Sequence, residues 1–232
     1  MDIFAPLCVL FAGIVCPTVS ESDPVMASYP GKRLLDLTLV LLALMLLSPV
    51  YIVVGFLVWL KLGWPILFHQ ERPGLHGKPF TLIKFRTMTN EKDANGNLLP
   101  AEERVTPFSQ FVRSTSLDEL PELFNVLRGD LSLIGPRPLL MQYLDLYTPE
   151  QMRRHDAKPG ITGWAQINGR NDISWEEKFA LDVWYVDHIS LWLDFKILAL
   201  TIWKVLRREG INQEGYEGAE YFIGTPTDPT TD

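Results

Sequence analysis

From Leu37 to Leu60 the chain runs 24 residues without a charged side chain. A membrane-spanning helix needs about 20 apolar residues, so this stretch is long enough to enter or cross a bilayer. The alternative is the buried core helix of a soluble domain, and a run this long and uniform argues against it. Ser48-Pro49 interrupts the run at its middle. Proline removes one backbone hydrogen bond and bends a helix, while a neighbouring serine hydroxyl can satisfy the carbonyl set free. Each half, Leu37–Leu47 and Val50–Leu60, covers about half a membrane at ~1.5 Å per residue. Two topologies follow: a kinked span, or a helix-break-helix hairpin that enters and leaves by one face. Lys32 and Arg33 precede the run, and Lys61, Arg72 and Lys78 follow it. Basic residues on both sides give no inside–outside bias, as a re-entrant hairpin requires.

A second organising stretch runs from Arg113 to Leu140. Ser116 and Glu119 have capping-box spacing, which predicts a helix start there. Leu120, Leu123, Phe124 and Leu127 follow on one helical face, with Pro121 in or near the first turn and Gly129 at the stop. Asp118 and Glu119 are then adjacent carboxylates at a helix N-terminus, where free N–H groups and the macrodipole favour anions, phosphate included. Arg113 precedes this helix, and Arg137 follows it in the stiff turn Gly135-Pro-Arg-Pro138. Taken alone, the acid pair reads as an ordinary acid-capped helix before a Pro-rich loop.

Composition removes several function classes. The formal net charge of -7 argues against a nucleic-acid binder and leaves any attraction to anionic lipid local. The two cysteines, Cys8 and Cys16, fall in the first segment, so neither a disulfide framework nor a Cys-based metal site supports the fold. His69, His76, His155 and His188 lack metal-ligand spacing. Residues 1–29 read as an N-terminal extension of uncertain standing: Phe4 to Val15 is apolar, but Met1-Asp2 lacks the basic start of a secretory signal. Met26 is the candidate natural start.

Past Gly63-Trp64-Pro65 the pattern predicts a strand from Ile66 to Gln70, a Pro-Gly turn, and a second strand from Phe80 to Met88. Ile83 and Phe85 share one face of that strand, Lys84 and Arg86 the other. Asn90 to Arg104 is a polar surface loop able to cover a site, and Tyr143 to His155 reads as helical and peripheral. The stretch Lys158 to Asn171 carries Gly160, Gly163 and Gly169, which permit tight backbone approach and N–H groups aimed at an anion, followed by Arg170. Trp164 suits a core position or a stacking platform. Ser174 and Glu177 form another capping box, opening a helix to about Tyr185. Ser190 to Arg208 is a long apolar helix with tryptophans near both ends and a basic last turn, as suits a helix lying in the headgroup plane. From about Glu214 the chain reads as a flexible polar tail.

These motifs, in this order, resemble the monotopic phosphoglycosyl transferases, the bacterial sugar transferase family. The resemblance covers Lys32 to Gly224 and includes Ser48-Pro49, the Lys84-Phe-Arg-Thr-Met88 strand, the Asp118-Glu119 dyad, Pro159-Gly-Ile-Thr-Gly163 and Asn168-Gly-Arg-Asn171. It implies an α/β, mostly helical chain: a re-entrant membrane helix over 30–63 and a small cytoplasmic catalytic domain over 64–213. A short β-hairpin, interfacial amphipathic helices and a tail over 214–232 complete it.

The resemblance also implies the reaction. A phospho-sugar passes from a UDP-sugar to undecaprenyl phosphate, releasing UMP. Asp118 is the nucleophile of a covalent intermediate, and Glu119 either holds Mg²⁺ with Asp118 or accepts a proton. Lys84, Arg86, Arg113, Arg137 and Arg170 bind phosphate. The small form of the family implies an N-acetylated, often deoxygenated sugar, of the diacetamido-bacillosamine kind used in protein glycosylation. A polyprenyl phosphate stays in the bilayer and a nucleotide sugar in the cytosol, so the site belongs at the cytoplasmic face of the inner membrane. The partners implied are both substrates and the lipid bilayer, with a homodimer left open. A membrane-tethered nucleotide-sugar hydrolase and a non-catalytic glycan-assembly scaffold are the rival classes.

Overall fold

The computed structural model describes residues 27–169, 173–207 and 221–225. Its first element, α1, is a single helix of 31 residues, Lys32–Leu62. The two helices expected on either side of Ser48-Pro49 are one, with Pro49 inside it. The reason is local. Pro49 has no N–H for the Met45 carbonyl, and the Ser48 hydroxyl donates to that carbonyl instead, at 3.0 Å. Gly63, at φ 77, ends the helix and returns its N–H to Trp59 O at 2.9 Å.

The domain packs along α1 and holds both its ends. Val40, Val54 and Val58 are buried, whereas Leu46, Ile52 and Phe56 stay exposed. At the start, Lys32 pairs with Asp194 and donates to the Tyr185 hydroxyl at 3.3 Å. Arg33 donates to the carbonyls of Val126 at 2.5 Å and Leu127 at 2.8 Å. Asp36 accepts from Ser132 Oγ at 2.8 Å and Leu133 N at 3.2 Å. At the other end the Arg86 guanidinium donates to the carbonyls of Leu62, Gly63 and Trp64. A cation there complements the negative end of the helix dipole.

Strands β1 (Leu67–Pro73) and β2 (Pro79–Phe85) form an antiparallel hairpin, with Leu67 opposite Phe85 and Pro73 opposite Pro79. Both faces of β2 are covered. Leu82 joins Val40, Leu123, Val126 and Leu131 in one cluster, while Phe85 joins Val54 and Val58 in another. Helix α2 (Pro107–Ser114) is capped by Thr106, whose hydroxyl accepts from Ser109 N. A 3-10 turn, Leu117–Glu119, then leads to α3 (Glu122–Arg128). The Ser116–Glu119 capping box does not form: Ser116 takes the left-handed conformation at φ 55 and makes no cap bond. Gly129, at φ 94, stops α3 as its position predicts.

Strand β3 (Ser132–Ile134) pairs in parallel with β4 (Gly160–Thr162). A Cβ at Gly135, Gly160 or Gly163 would run into facing backbone atoms, so these glycines permit the close approach. Between the two strands lie the 3-10 turn Met141–Leu146, the single-turn helix α4 (Pro149–Met152) and the 3-10 turn Arg153–Asp156. This region is helical but not peripheral, because Tyr143, Arg154 and His155 are buried. Helix α5 (Trp164–Asn168) follows, then α6 (Trp175–Asp187), opened by the Ser174–Glu177 capping box. Helix α7 (Leu191–Arg207) buries Leu193 and Ile197 and leaves Trp192, Phe195, Ile202 and Trp203 exposed. The tail is not uniformly loose: Phe222 is buried among Tyr143, Tyr147, Trp175 and Phe179.

Candidate active site

The dyad sits between the β-hairpin and the loop after β3. Glu119 ends the 3-10 turn, and two cations converge on one of its oxygens. Lys84 Nζ donates to Oε1 at 2.7 Å, and Arg137 Nη2 donates to the same atom at 2.5 Å. Lys84 lies between buried Ile83 and Phe85, which fix the strand and aim its side chain at the dyad. It also pairs with Glu122 at 3.0 Å, in the first turn of α3. Arg137 is held from behind: Arg154 Nη2 donates to its carbonyl at 2.7 Å, and Arg154 is fixed in turn by Asp182 at 2.7 Å. That buried pair ties the Pro-rich turn to α6.

The two acids of the dyad are electrostatically unlike. Burial, and then the Glu119 charge beside it, push the Asp118 carboxyl up to about 6. Burial acts against the Glu119 charge as well, but Arg137 and Lys84 outweigh it and hold that carboxyl well below its ordinary value. Glu122 is pushed up to about 7 by burial and by Glu119. Burial disfavours the Lys84 cation, and the neighbouring acids more than offset this, leaving its pKa raised. Asp118 forms no ion pair among the described residues.

A cavity of about 560 Å³ opens beside the dyad. Glu119, Arg113, Arg137 and Lys178 line its polar part, and Ala43, Leu47, Leu120 and Leu123 its apolar part. Arg113 reaches it while donating through Nε to Thr87 Oγ1 at 2.9 Å. Thus Lys84, Arg113 and Arg137 come together with Asp118 and Glu119, as their order in the sequence predicts. Arg86 does not. Its Nη1 and Nη2 donate to the carbonyls at the end of α1, and it is buried there, so the phosphate-binding role expected for it is withdrawn. Arg170 lies outside the described residues. Ser48 and Pro49 sit within α1 directly after Leu47, which is on the cavity wall. Trp164 stacks on Trp184, with centroids 4.9 Å apart, in a structural role.

Sequence reasoning missed Glu122, Arg154, Lys178 and Asp182. The signal for the last was present: a carboxylate inside the apolar run Phe179-Ala-Leu-Asp-Val-Trp184 needs a buried partner. Lys178 stands one helical turn before it. Glu122 follows the dyad by three residues, close enough to share its cation.

Among the described residues no group of three or more His, Cys, Asp or Glu is arranged to hold a metal by itself. A hard cation here would take part of its shell from substrate oxygens and water. Asp118, without an ion pair among the described residues, suits that arrangement.

Known proteins resemble this chain in sequence. The uncharacterized sugar transferase EpsL of Bacillus subtilis (strain 168) is 61% identical over 194 residues, covering 84% of this chain and 96% of that protein. The undecaprenyl-phosphate galactose phosphotransferase of Salmonella typhimurium is 39% identical over 199 residues, 77% of this chain and 41% of its own length. The UDP-glucose:undecaprenyl-phosphate glucose-1-phosphate transferase of Escherichia coli (strain K12) is 41% identical over 184 residues, 75% of this chain and 39% of its own. The chain therefore spans about two fifths of those two longer relatives. The profile of the bacterial sugar transferases matches residues 27–208, and with that extent of agreement the chain belongs to the bacterial sugar transferase family.

Proposed function

We propose that the chain transfers a sugar phosphate from a UDP-sugar to undecaprenyl phosphate at the cytoplasmic face of a bacterial inner membrane, as the first membrane step of glycoconjugate synthesis. The observation that carries this reading is the cavity itself. It joins Glu119 of the dyad and the cations Arg113, Arg137 and Lys178 to Ala43 and Leu47 in the apolar helix α1, so a water-soluble anion and a lipid anion can meet there.

In the first half-reaction an Asp118 oxygen attacks the β-phosphorus of the UDP-sugar. The phosphorus–oxygen bond to the α-phosphate breaks, UMP leaves, and the sugar phosphate is held as an acyl phosphate. In the second, an oxygen of the lipid phosphate attacks the same phosphorus, the bond to Asp118 breaks, and the carboxylate is regenerated. Arg113, Arg137 and Lys84 offset the charge that builds on the phosphoryl oxygens. Glu119, held so strongly ionised, is a poor proton acceptor, which favours metal holding over base catalysis. Mg²⁺ held by Asp118 and Glu119 would add charge neutralisation at the diphosphate.

The latches at both ends of α1 support a re-entrant path. Lys32 and Arg33 at its start and Gly63 at its end all bond to one domain, the arrangement expected if both ends lie on one side of the bilayer. Cysteines at Ser28 and Lys61 should both resist labelling from the periplasmic face. Labelling of one alone would establish a true span.

On the sugar, the small form of the family points to an N-acetylated one, whereas the longer relatives are named for galactose and glucose. A panel of radiolabelled UDP-sugars with undecaprenyl phosphate should give labelled lipid. Intact-protein mass without lipid should show a phospho-sugar adduct that Asp118→Asn abolishes. Free sugar phosphate as the main product would make the protein a hydrolase, and no turnover at all would leave it a scaffold.

A further inference from the structure

The cavity beside the dyad has two unlike ends. One is walled by Ala43 and Leu47 of α1 and by Thr201 and Val205 of α7. Ala43 lies about 16 Å and Leu47 about 22 Å along the helix axis from Lys32, at ~1.5 Å per residue, so this wall reaches the middle of the charge-free run. Ala43 packs in the same apolar cluster as Leu123 and Ile161. The hydroxyls on this side are satisfied internally: Thr201 Oγ1 bonds with Thr162 Oγ1 at 2.8 Å and donates to Ile197 O at 2.8 Å. An apolar chain is the occupant that gains by lying there.

The other end is built by α6. Asp182 and Arg154 neutralise one another, and Lys178 forms no ion pair among the described residues. Its Nζ lies over the Trp175 ring, 4.2 Å from the centroid. Asp182, the nearby carboxylate, is already paired with Arg154, so a half-buried cation here gains from an anion brought to it. Trp175 packs in a different cluster from Ala43, so the Lys178 wall and the α1 wall belong to different parts of the domain.

Resting on the transfer reaction proposed above, we infer that the prenyl chain of the acceptor lies against Ala43, Leu47, Thr201 and Val205, while Lys178 receives the 5′-phosphate of the leaving nucleotide. The two phosphates take the same in-line position opposite the Asp118 oxygen in turn, the α-phosphate until UMP leaves and the lipid phosphate after it, while the prenyl chain and Lys178 occupy different walls of the cavity.

The test is a crossed pair of variants of the full chain in detergent micelles, read by UMP calorimetry and by the thermal shift that undecaprenyl phosphate produces relative to two-isoprene geranyl phosphate. Lys178→Ala should weaken UMP binding tenfold or more, leave the shift from undecaprenyl phosphate intact, and be rescued by Lys178→Arg. Ala43→Phe, which fills the apolar end, should erase the advantage of the long chain and leave UMP binding intact. Val205→Trp repeats this from the opposite wall, should Ala43→Phe lower the melting temperature by itself. Variants that move both readouts together, cross in the reverse sense, or change neither would overturn the assignment. A wild type that binds both ligands but yields no labelled lipid in the UDP-sugar panel would sink the transfer reaction instead.

Discussion

Glu119 precedes α3 and Arg137 follows β3, yet Nη2 of Arg137 donates to Oε1 of Glu119 at 2.5 Å. The helix and strand between them therefore act as a folded arm that brings a cation back onto the acid before it. Arg154 fixes the carbonyl of that cation, so the guanidinium is aimed from a rigid base.

Arg137 and Arg86 should consequently separate under mutation. Arg137→Ala removes the cation assigned above to the transferring phosphoryl group and should cost turnover about 100-fold or more, with little change in melting temperature. Arg86→Ala leaves the carbonyls of Leu62, Gly63 and Trp64 without a donor, at about 1–3 kcal/mol for each that stays buried. It should lower the melting temperature while activity per folded molecule persists. Thermal melts run beside the transfer assay decide. An Arg86→Ala protein that melts normally and is inactive would return Arg86 to the phosphate site.

His155 gives a pH dependence of stability. Burial, and then the Arg154 charge, lower its pKa to about 3, with Nδ1 bonded to Gly74 O at 3.2 Å. The unfolded chain binds a proton here below about 6.5, and the folded chain does not until about 3. Stability should therefore fall as pH drops through this window, by up to about 1.4 kcal/mol per pH unit from this one group. His155→Gln should flatten that slope in denaturant titrations at pH 4 to 7. An unchanged slope would show that the ring is already protonated when folded.

Phe222 should prove structural despite its place in a polar tail. It lies edge-on to Phe179 at 5.0 Å and to Tyr143 at 5.7 Å. Phe222→Ala should cost about 3–5 kcal/mol of stability, measured by urea midpoint. Truncation after Thr225 should cost far less, and equal losses would mean that the ring contributes nothing special.

Legibility in the sequence followed the range of the interaction. The β-hairpin, the Ser174 capping box and the Gly129 stop were readable because each is decided within a few residues. Lys84 and Arg86 show the limit. Strand alternation gave them one face and one task, but β2 ends at Phe85, so alternation no longer governs Arg86, and it turned to the end of α1 instead. Ser116 failed for another reason: its left-handed backbone puts its hydroxyl out of reach of the helix it was expected to cap. Phe222 carried no local signal, and Asp182 in its apolar run signalled a buried partner without saying which, because the partners lie far along the chain.

Helix α1 has a consequence for how such proteins can be rebuilt. Its Lys32 is the cation for buried Asp194, its Asp36 accepts from Ser132 and Leu133, and its Val40 and Val58 are fully enclosed. A membrane anchor that supplies a domain with charges and core side chains is not a detachable module. Deleting it to obtain a soluble enzyme, or exchanging it for an unrelated spanning helix, would leave Asp194 with no counter-charge and strip one wall from two apolar clusters. Solubility would have to come from re-dressing the exposed side of α1, with the inner side left as it is.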